Sequence, residues 1–134
     1  MILPIVAYGD PVLRKVGISI DADYPELEKL ISNMKETMYN ASGVGLAAPQ
    51  IGKAIRVFLI DASPFADDED LSEKERIILK NFNRVFINPQ IIKEEGKEWV
   101  FNEGCLSIPD VREDVLRKEK ITIEYQDENF KKHT

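Results

Sequence analysis

The chain has 134 residues, with 18 Lys and Arg against 24 Asp and Glu, 43% hydrophobic content, one Cys and one His. That is enough for a single domain with a sizeable core, residues 1–134, and too mixed a composition for a disordered, collagenous or membrane class. No apolar run approaches the roughly 18 residues of a membrane span, and the opening Met1-Ile2-Leu3-Pro4-Ile5 lacks the basic region and cleavage site of a signal peptide, so a cytoplasmic location is expected. One cysteine excludes an internal disulfide, and one histidine limits the metal sites the chain can build.

The net charge of −6 is local. Residues 61–75 hold Asp61, Asp67, Asp68, Glu69, Asp70, Glu73 and Glu75 against Lys74 alone, and elsewhere the charges balance. Without a basic stripe, no direct nucleic-acid site is expected, because phosphate binding needs concentrated Lys and Arg. The acidic run itself reads as a solvated loop.

In chain order, the first clear element is a helix over residues 23–39. Leu27, Leu30, Ile31, Met34 and Met38 recur at three- and four-residue steps. Asp23 is read as its N-cap, with Pro25 and Glu26 in the first turn and Gly43 as the stop. The methionines of the stripe read as core. After Gly52 the period changes to that of strands. Residues 56–60 form an apolar run expected to be buried on both faces, ended by Asp61. Ser72 and Glu75 fit a capping box for a short helix through Ile77, Ile78 and Leu79. Residues 84–88 and 90–95 read as strands interrupted by Pro89, with Gly96 turning the chain into residues 98–101. Residues 118–126 alternate, Ile121, Ile123 and Tyr125 opposite Thr122 and Glu124, and Asp127-Glu128-Asn129 is a turn signal. These elements predict an α+β fold, antiparallel sheets packed on a helix.

Two segments resist a purely structural reading. Gly43-Val44-Gly45-Leu46-Ala47-Ala48-Pro49-Gln50 lets the backbone approach a partner closely and ends in a neutral amide. It is neither a dinucleotide fingerprint nor a P-loop, since the third glycine and the Gly-Lys-Ser/Thr are absent. Glu103-Gly104-Cys105-Leu106-Ser107 surrounds the lone cysteine with a glycine, a carboxylate and a hydroxyl. A lone cysteine is usually a small buried hydrophobe, and these neighbours shift that reading toward chemistry.

Together the two segments resemble the peptide deformylases, metallohydrolases that remove the formyl group from the amino-terminal methionine of new bacterial and organellar proteins. The family pattern Gly-φ-Gly-φ-Ala-Ala-x-Gln, φ apolar, is matched throughout residues 43–50, and Glu-Gly-Cys-φ-Ser throughout residues 103–107, with 55 residues from Gln50 to Cys105. The opening segment Gly9-Asp10-Pro11-Val12-Leu13-Arg14 also looks like the family's amino terminus.

The resemblance implies a deformylase-like fold and a divalent metal, Fe²⁺ replaceable by Ni²⁺, Co²⁺ or Zn²⁺, held by the motif cysteine and two histidines. Cys105 matches the thiolate ligand. The Gln50 side-chain amide and the Leu106 backbone N–H match the donors to the tetrahedral oxyanion. Gly45 matches a backbone position that pairs with the extended peptide substrate, and Val44 and Glu103 match positions flanking the methionine pocket. Glu103 is also read as a charge partner of Arg112 or of its loop. The implied partners are N-formyl-methionyl nascent peptides near the ribosome exit. The family's His-Glu-x-x-His helix has no match in these 134 residues, and His133 matches no family ligand. The chain is therefore read as a truncated deformylase domain lacking that C-terminal helix, with little or no activity alone and possible self-association through an uncovered sheet face. Two other readings stand beside it: a deformylase-like peptide-binding module without catalysis, and a thiol hydrolase using Cys105 with His133 as base.

Overall fold

The computed structural model describes the backbone of all 134 residues and the side chains of all but residues 108–111. The fold is α+β. Two helices, α1 (Leu27–Asn40) and α2 (Glu73–Lys80), accompany one antiparallel sheet of β1 (Gly45–Ala47), β2 (Val57–Asp61), β3 (Asn83–Cys105), β4 (Ile108–Gln126) and β5 (Lys132–His133), in spatial order β1-β2-β3-β4-β5. Among the described residues, no helix is long and apolar enough to cross a membrane.

The core follows from the stripe on α1. Leu27, Ile31, Met34 and Met38 are buried and pack with Leu46, Val57, Leu59, Val85 and Ile87 of the first three strands. Burial along β2 alternates, with Val57, Leu59 and Asp61 buried and Phe58 and Ile60 half-buried. This corrects the expectation of a run buried on both faces: only one face of this antiparallel ladder meets α1. The other carries an aromatic row in which Phe86 stacks on Phe58 at 4.7 Å and meets Tyr125 at 4.4 Å.

The helix begins later than residue 23. Asp21 forms a turn with the Asp23 N–H, and α1 starts only after Glu26, which takes the left-handed conformation (φ 55°) and makes no side-chain cap. Pro25 disfavours helical backbone at Tyr24, and residues 21–24 stay a turn closed by the Tyr24 N–H on the Asp21 carbonyl. At the other end the left-handed residue is Ser42 (φ 56°), not Gly43. The Ser42 N–H reaches the Tyr39 carbonyl and the Gly43 N–H the Met38 carbonyl, the paired bonds of a Schellman ending. The α2 cap is as expected, the Glu75 N–H donating to Ser72 Oγ at 3.2 Å.

The largest departure is β3. Neither Pro89 nor Gly96 interrupts it; both lie where its register against β4 shifts, between Ile87 and Gln90 and between Glu95 and Glu98. Proline has no N–H to lose at a bulge, and Gly96 takes φ 86° with the Glu119 side chain packed where a Cβ would stand. These shifts matter for the site. A straight strand from Ile87 to Cys105 would separate its ends by about 60 Å. Yet Ile87 pairs with Val57 and Cys105 meets Gln50, both at the β1–β2 corner, so the bulged hairpin bends back on itself. The turn signal at residues 127–129 holds, returning the chain so that His133 pairs with Tyr125.

Candidate functional site

The two glycine-containing segments meet where β1 runs into a short 3-10 helix, Ala48–Ile51, and where β3 turns into β4. Cys105 is the last residue of β3 and pairs with Ile108, leaving Leu106 and Ser107 as the two-residue tip. Three contacts seat this tip. The Tyr8 N–H donates to the Ser107 carbonyl at 2.9 Å, while Leu106 packs on the edge of the core directly over Gly43. A Cβ on Gly43 would stand 2.7 Å from Leu106 Cδ1, so the first glycine of one segment makes room for the central residue of the other.

Gln50 supplies the third contact and has its amide orientation fixed. The Ala47 N–H donates to Gln50 Oε1 at 3.0 Å, which turns Nε2 toward Cys105 Sγ (3.5 Å) and Ser107 Oγ (3.3 Å). The Gln50 carbonyl in turn takes the Val6 N–H at 2.8 Å. A neutral amide donor is thus aimed at the surroundings of a thiol sulfur. Cys105 is exposed, contrary to the usual fate of a lone cysteine. Among the described residues, no protein group accepts the Leu106 N–H.

Val44 and Gly45 lie on the open edge of the sheet, since among the described residues β1 pairs only with β2. The Asp61 N–H holds the Val44 carbonyl at 2.8 Å, directing it into the sheet. Polar backbone groups alternate in direction along an antiparallel strand, so those of Gly45 face the open side. Ala47, two residues on, confirms the parity: its outward N–H is the one taken by Gln50.

Glu103 pairs with Arg117, not Arg112, through two hydrogen bonds of 2.7 and 2.6 Å. Strand parity explains the correction. Glu103 pairs with Glu113 and Trp99 with Arg117, which puts Glu103 and Arg117 on one face; Arg112 lies opposite Gly104, on the other face with Asn102, and bonds that side chain at 2.6 Å. The Arg117 hydrogen bonds hold the Glu103 carboxyl below its ordinary range. Phe101 shares the Glu103 face and packs between Trp99 (5.3 Å) and Phe65 (6.4 Å). Nothing in the order of residues brings Phe65 to the hairpin, so these aromatics carry no signal in the sequence.

His133 does have an orienting partner, Asp127, at 2.7 Å, and its ring stacks on Tyr125. That hydrogen bond is the main cause of the lowered Asp127 carboxyl pKa. Cys105 and His133 pair at opposite ends of β4 and each bonds elsewhere, so the geometry offers no thiol–imidazole couple. Nor do the residues present fit a metal by themselves: among the described residues, no three His, Cys, Asp or Glu side chains converge, and this corner offers one thiol beside an amide and a hydroxyl.

The sequence profile of the polypeptide deformylases matches residues 2–134. The chain belongs to the peptide deformylase family. It is 66% identical over all 134 residues to a peptide deformylase of Christiangramia forsetii, covering 68% of that relative. The fold agrees with the crystal structure of the Thermotoga maritima peptide deformylase at TM-score 0.82 and 33% identity, covering 99% of this chain and 79% of that one. A Met-Ala-Ser-bound peptide deformylase from Acinetobacter baumannii matches at TM-score 0.82 and 26% identity, covering 99% and 81%. The chain spans about two thirds of the length of the curated relatives it matches.

Proposed function

We propose that these 134 residues form the peptide-binding and oxyanion-stabilising part of a metal-dependent peptide deformylase, which hydrolyses the N-formyl group from the amino-terminal methionine of nascent proteins in the bacterial cytoplasm. One observation carries the reading. The Gln50 amide, locked by Ala47, aims its N–H at Cys105 and the tip of the second motif. Addition of hydroxide to a formyl carbon places the negative charge on the formyl oxygen. A neutral side-chain donor and a backbone N–H, here those of Gln50 and Leu106, stabilise such a charge without titrating. Gly45 offers its outward backbone groups to an extended peptide, and main-chain pairing is indifferent to the sequence that follows methionine. Val44 and Glu103 flank the methionine side chain, with Glu103 held in place by Arg117. Cys105 would supply one thiolate to the Fe²⁺ that the family reading implies, or to Ni²⁺, Co²⁺ or Zn²⁺ in its place.

With Cys105 as the single ligand, the 134-residue chain alone binds metal weakly and turns over formyl-methionyl peptides near background. The test is a chimera in which this chain replaces the aligned two thirds of the Christiangramia forsetii relative. Deformylation of a formyl-Met peptide by the chimera, its loss by 10²-fold or more in Gln50→Ala, and background activity of the 134 residues alone are expected. A chimera that binds the peptide without hydrolysing it would favour the peptide-binding module. Family-like turnover and stoichiometric metal in the 134-residue chain would overturn the account of its inactivity.

A further inference from the structure

We propose that the Tyr39–Asp61 pair is a positioning element for the peptide-pairing edge of β1, acting through the Asp61 N–H on Val44; the inference rests on the reading of Gly45 as a peptide-pairing residue. Among the described residues Asp61 is the one buried charged residue, 8% exposed, and the oxyanion and thiol chemistry does not use it. It stands at the end of β2 where three pieces of chain converge. Tyr39, in the last turn of α1, donates its hydroxyl to Asp61 Oδ2 at 2.7 Å. The Ser63 N–H donates to Oδ1 at 2.9 Å. The Asp61 backbone N–H donates to the Val44 carbonyl at 2.8 Å, and Asn83, opposite Asp61 on β3, donates Nδ2 to the Tyr39 hydroxyl at 3.2 Å.

This arrangement decides which way β1 faces. β1 is three residues long and paired on one side only, and its first inward bond, Asp61 N–H to Val44, lies just outside it. That bond sets the parity by which the Gly45 N–H and carbonyl point to the open edge. So short an edge strand is easily twisted or frayed. Pairing with Asn83 on β3 places the Asp61 backbone, and the side chain held between Tyr39 and Ser63 adds a second restraint on the residue that bonds Val44. The Schellman ending of α1 runs from Tyr39 into Ser42 and Gly43, so the same residue that grips Asp61 also launches the chain into β1. Tyr39 thus fixes β1 from both directions, by covalent continuity and through Asp61.

The pair should therefore tune how tightly an extended peptide pairs with Gly45 while leaving the core intact. The probe is the Met-Ala-Ser tripeptide, titrated into the 134-residue chain with the Gly45 amide followed by NMR, beside a second tripeptide methylated on its two internal amide nitrogens. Tyr39→Phe keeps the ring and removes one donor. It is expected to weaken Met-Ala-Ser binding by about fivefold, the usual effect of one lost hydrogen bond, and to leave the N-methylated peptide's weaker binding unchanged. The Leu46 amide should exchange faster in Tyr39→Phe while Ile31 and Met34 in α1 keep their protection. Asn83→Ala, which removes only the second contact to the hydroxyl, should act in the same direction with a smaller factor. Equal Met-Ala-Ser affinity in wild type and both variants would overturn the proposal, as would an equal loss for the two peptides, which marks a merely structural role. If Met-Ala-Ser leaves the Gly45 amide of the wild-type chain unmoved, the peptide-pairing reading fails first and takes the inference with it.

Discussion

The corner built from α1, β1, β2 and the first residues of β3 hides its apolar side chains, while the outer hairpin of β3 and β4 displays its own. Met34 and Ile87 are wholly buried, and Met38 and Leu59 are 1% exposed; Leu116 is 65% exposed, Ile121 56% and Trp99 47%. The corner is organised by burial and the hairpin by backbone pairing and cross-strand charges such as Glu103–Arg117 and Glu98–Lys118. The site lies where the two kinds of order meet: Gln50 belongs to the corner, Cys105 to the hairpin, and at the hairpin tip Leu106 packs on the edge of the core while Ser107 is buried against Gln50.

If burial does organise the corner, truncation there should dwarf any change on the hairpin. Met38→Ala should cost about 2–5 kcal/mol, since the cavity it leaves has no solvent to fill it. Leu116→Ser should stay within about 0.5 kcal/mol. Urea unfolding of both variants measures the contrast, and comparable losses would erase it. Sedimentation adds a second axis. The exposed hairpin residues predict self-association of the 134-residue chain, which Leu116→Ser should reduce and Met38→Ala should not.

The junction itself can be broken at Gly43. An added methyl at 2.7 Å from Leu106 Cδ1, with Cγ at 3.3 Å and Cδ2 at 3.4 Å, forces the side chain out of its seat. Gly43→Ala should cost about 1–3 kcal/mol through overpacking. It should also shift the Gln50 side-chain amide resonances as the hairpin tip moves away. Adding Leu106→Ala should recover part of the loss, and strict additivity of the two changes would show that the contact does not couple them.

Acid should distinguish the two regions as well. Ser63 first and Tyr39 second hold the Asp61 carboxyl below its ordinary range; Arg117 does the same for Glu103. An acid whose folded pKa is depressed adds stability that is fully present above its unfolded value, near pH ~4, and is lost as pH falls through the folded value. The Glu103–Arg117 pair is solvated, with the arginine 56% exposed, so its share is small. Asp61 is buried. Unfolding free energies measured from pH 7 down to pH 3 should fall less steeply in Asp61→Asn than in wild type, and Arg117→Ala should barely alter the slope. The reverse ranking would place the acid-sensitive contact in the hairpin.

The corner was also the more legible region in the sequence, for the same physical reason. A stripe of Leu, Ile and Met at helical spacing announces a buried face whatever lies against it, and the apolar run of β2 supplies that partner, although its one-sided burial shows only in the structure. The hairpin carries no such signal. Its turn is the unremarkable pair Leu106-Ser107, whereas Gly96 and Pro89, which look like breaks, are bulges absorbed within one strand. Only the pairing register reveals that Glu103 faces Arg117 and that Phe101 meets Phe65. That Gln50 and Cys105 come together was legible through family resemblance, because a separation of 55 residues says nothing about contact. In the sequence Tyr39 and Asp61 are a helix end and a strand end, and nothing in their order marks them as partners.

The smallest expected effect concerns how the corner hands the chain to the site. Ser42 occupies the left-handed position that ends α1, φ 56°, where a side chain is strained and glycine is not. The paired bonds of that ending, Ser42 to Tyr39 and Gly43 to Met38, are backbone bonds and survive a change of side chain. Ser42→Gly should therefore relieve the strain without moving Gly43, Val44 or Gly45, and stabilise the chain by about 0.5–1 kcal/mol after allowing for the greater freedom of glycine in the unfolded state. The gain should appear in urea unfolding with the slope against denaturant unchanged. Unaltered amide shifts at Gly45 would show that the helix ending and the edge strand keep their geometry. A destabilised Ser42→Gly chain would mean instead that the Ser42 side chain contributes more than its strained backbone costs, and that α1 is ended by the side chain rather than by the two backbone bonds.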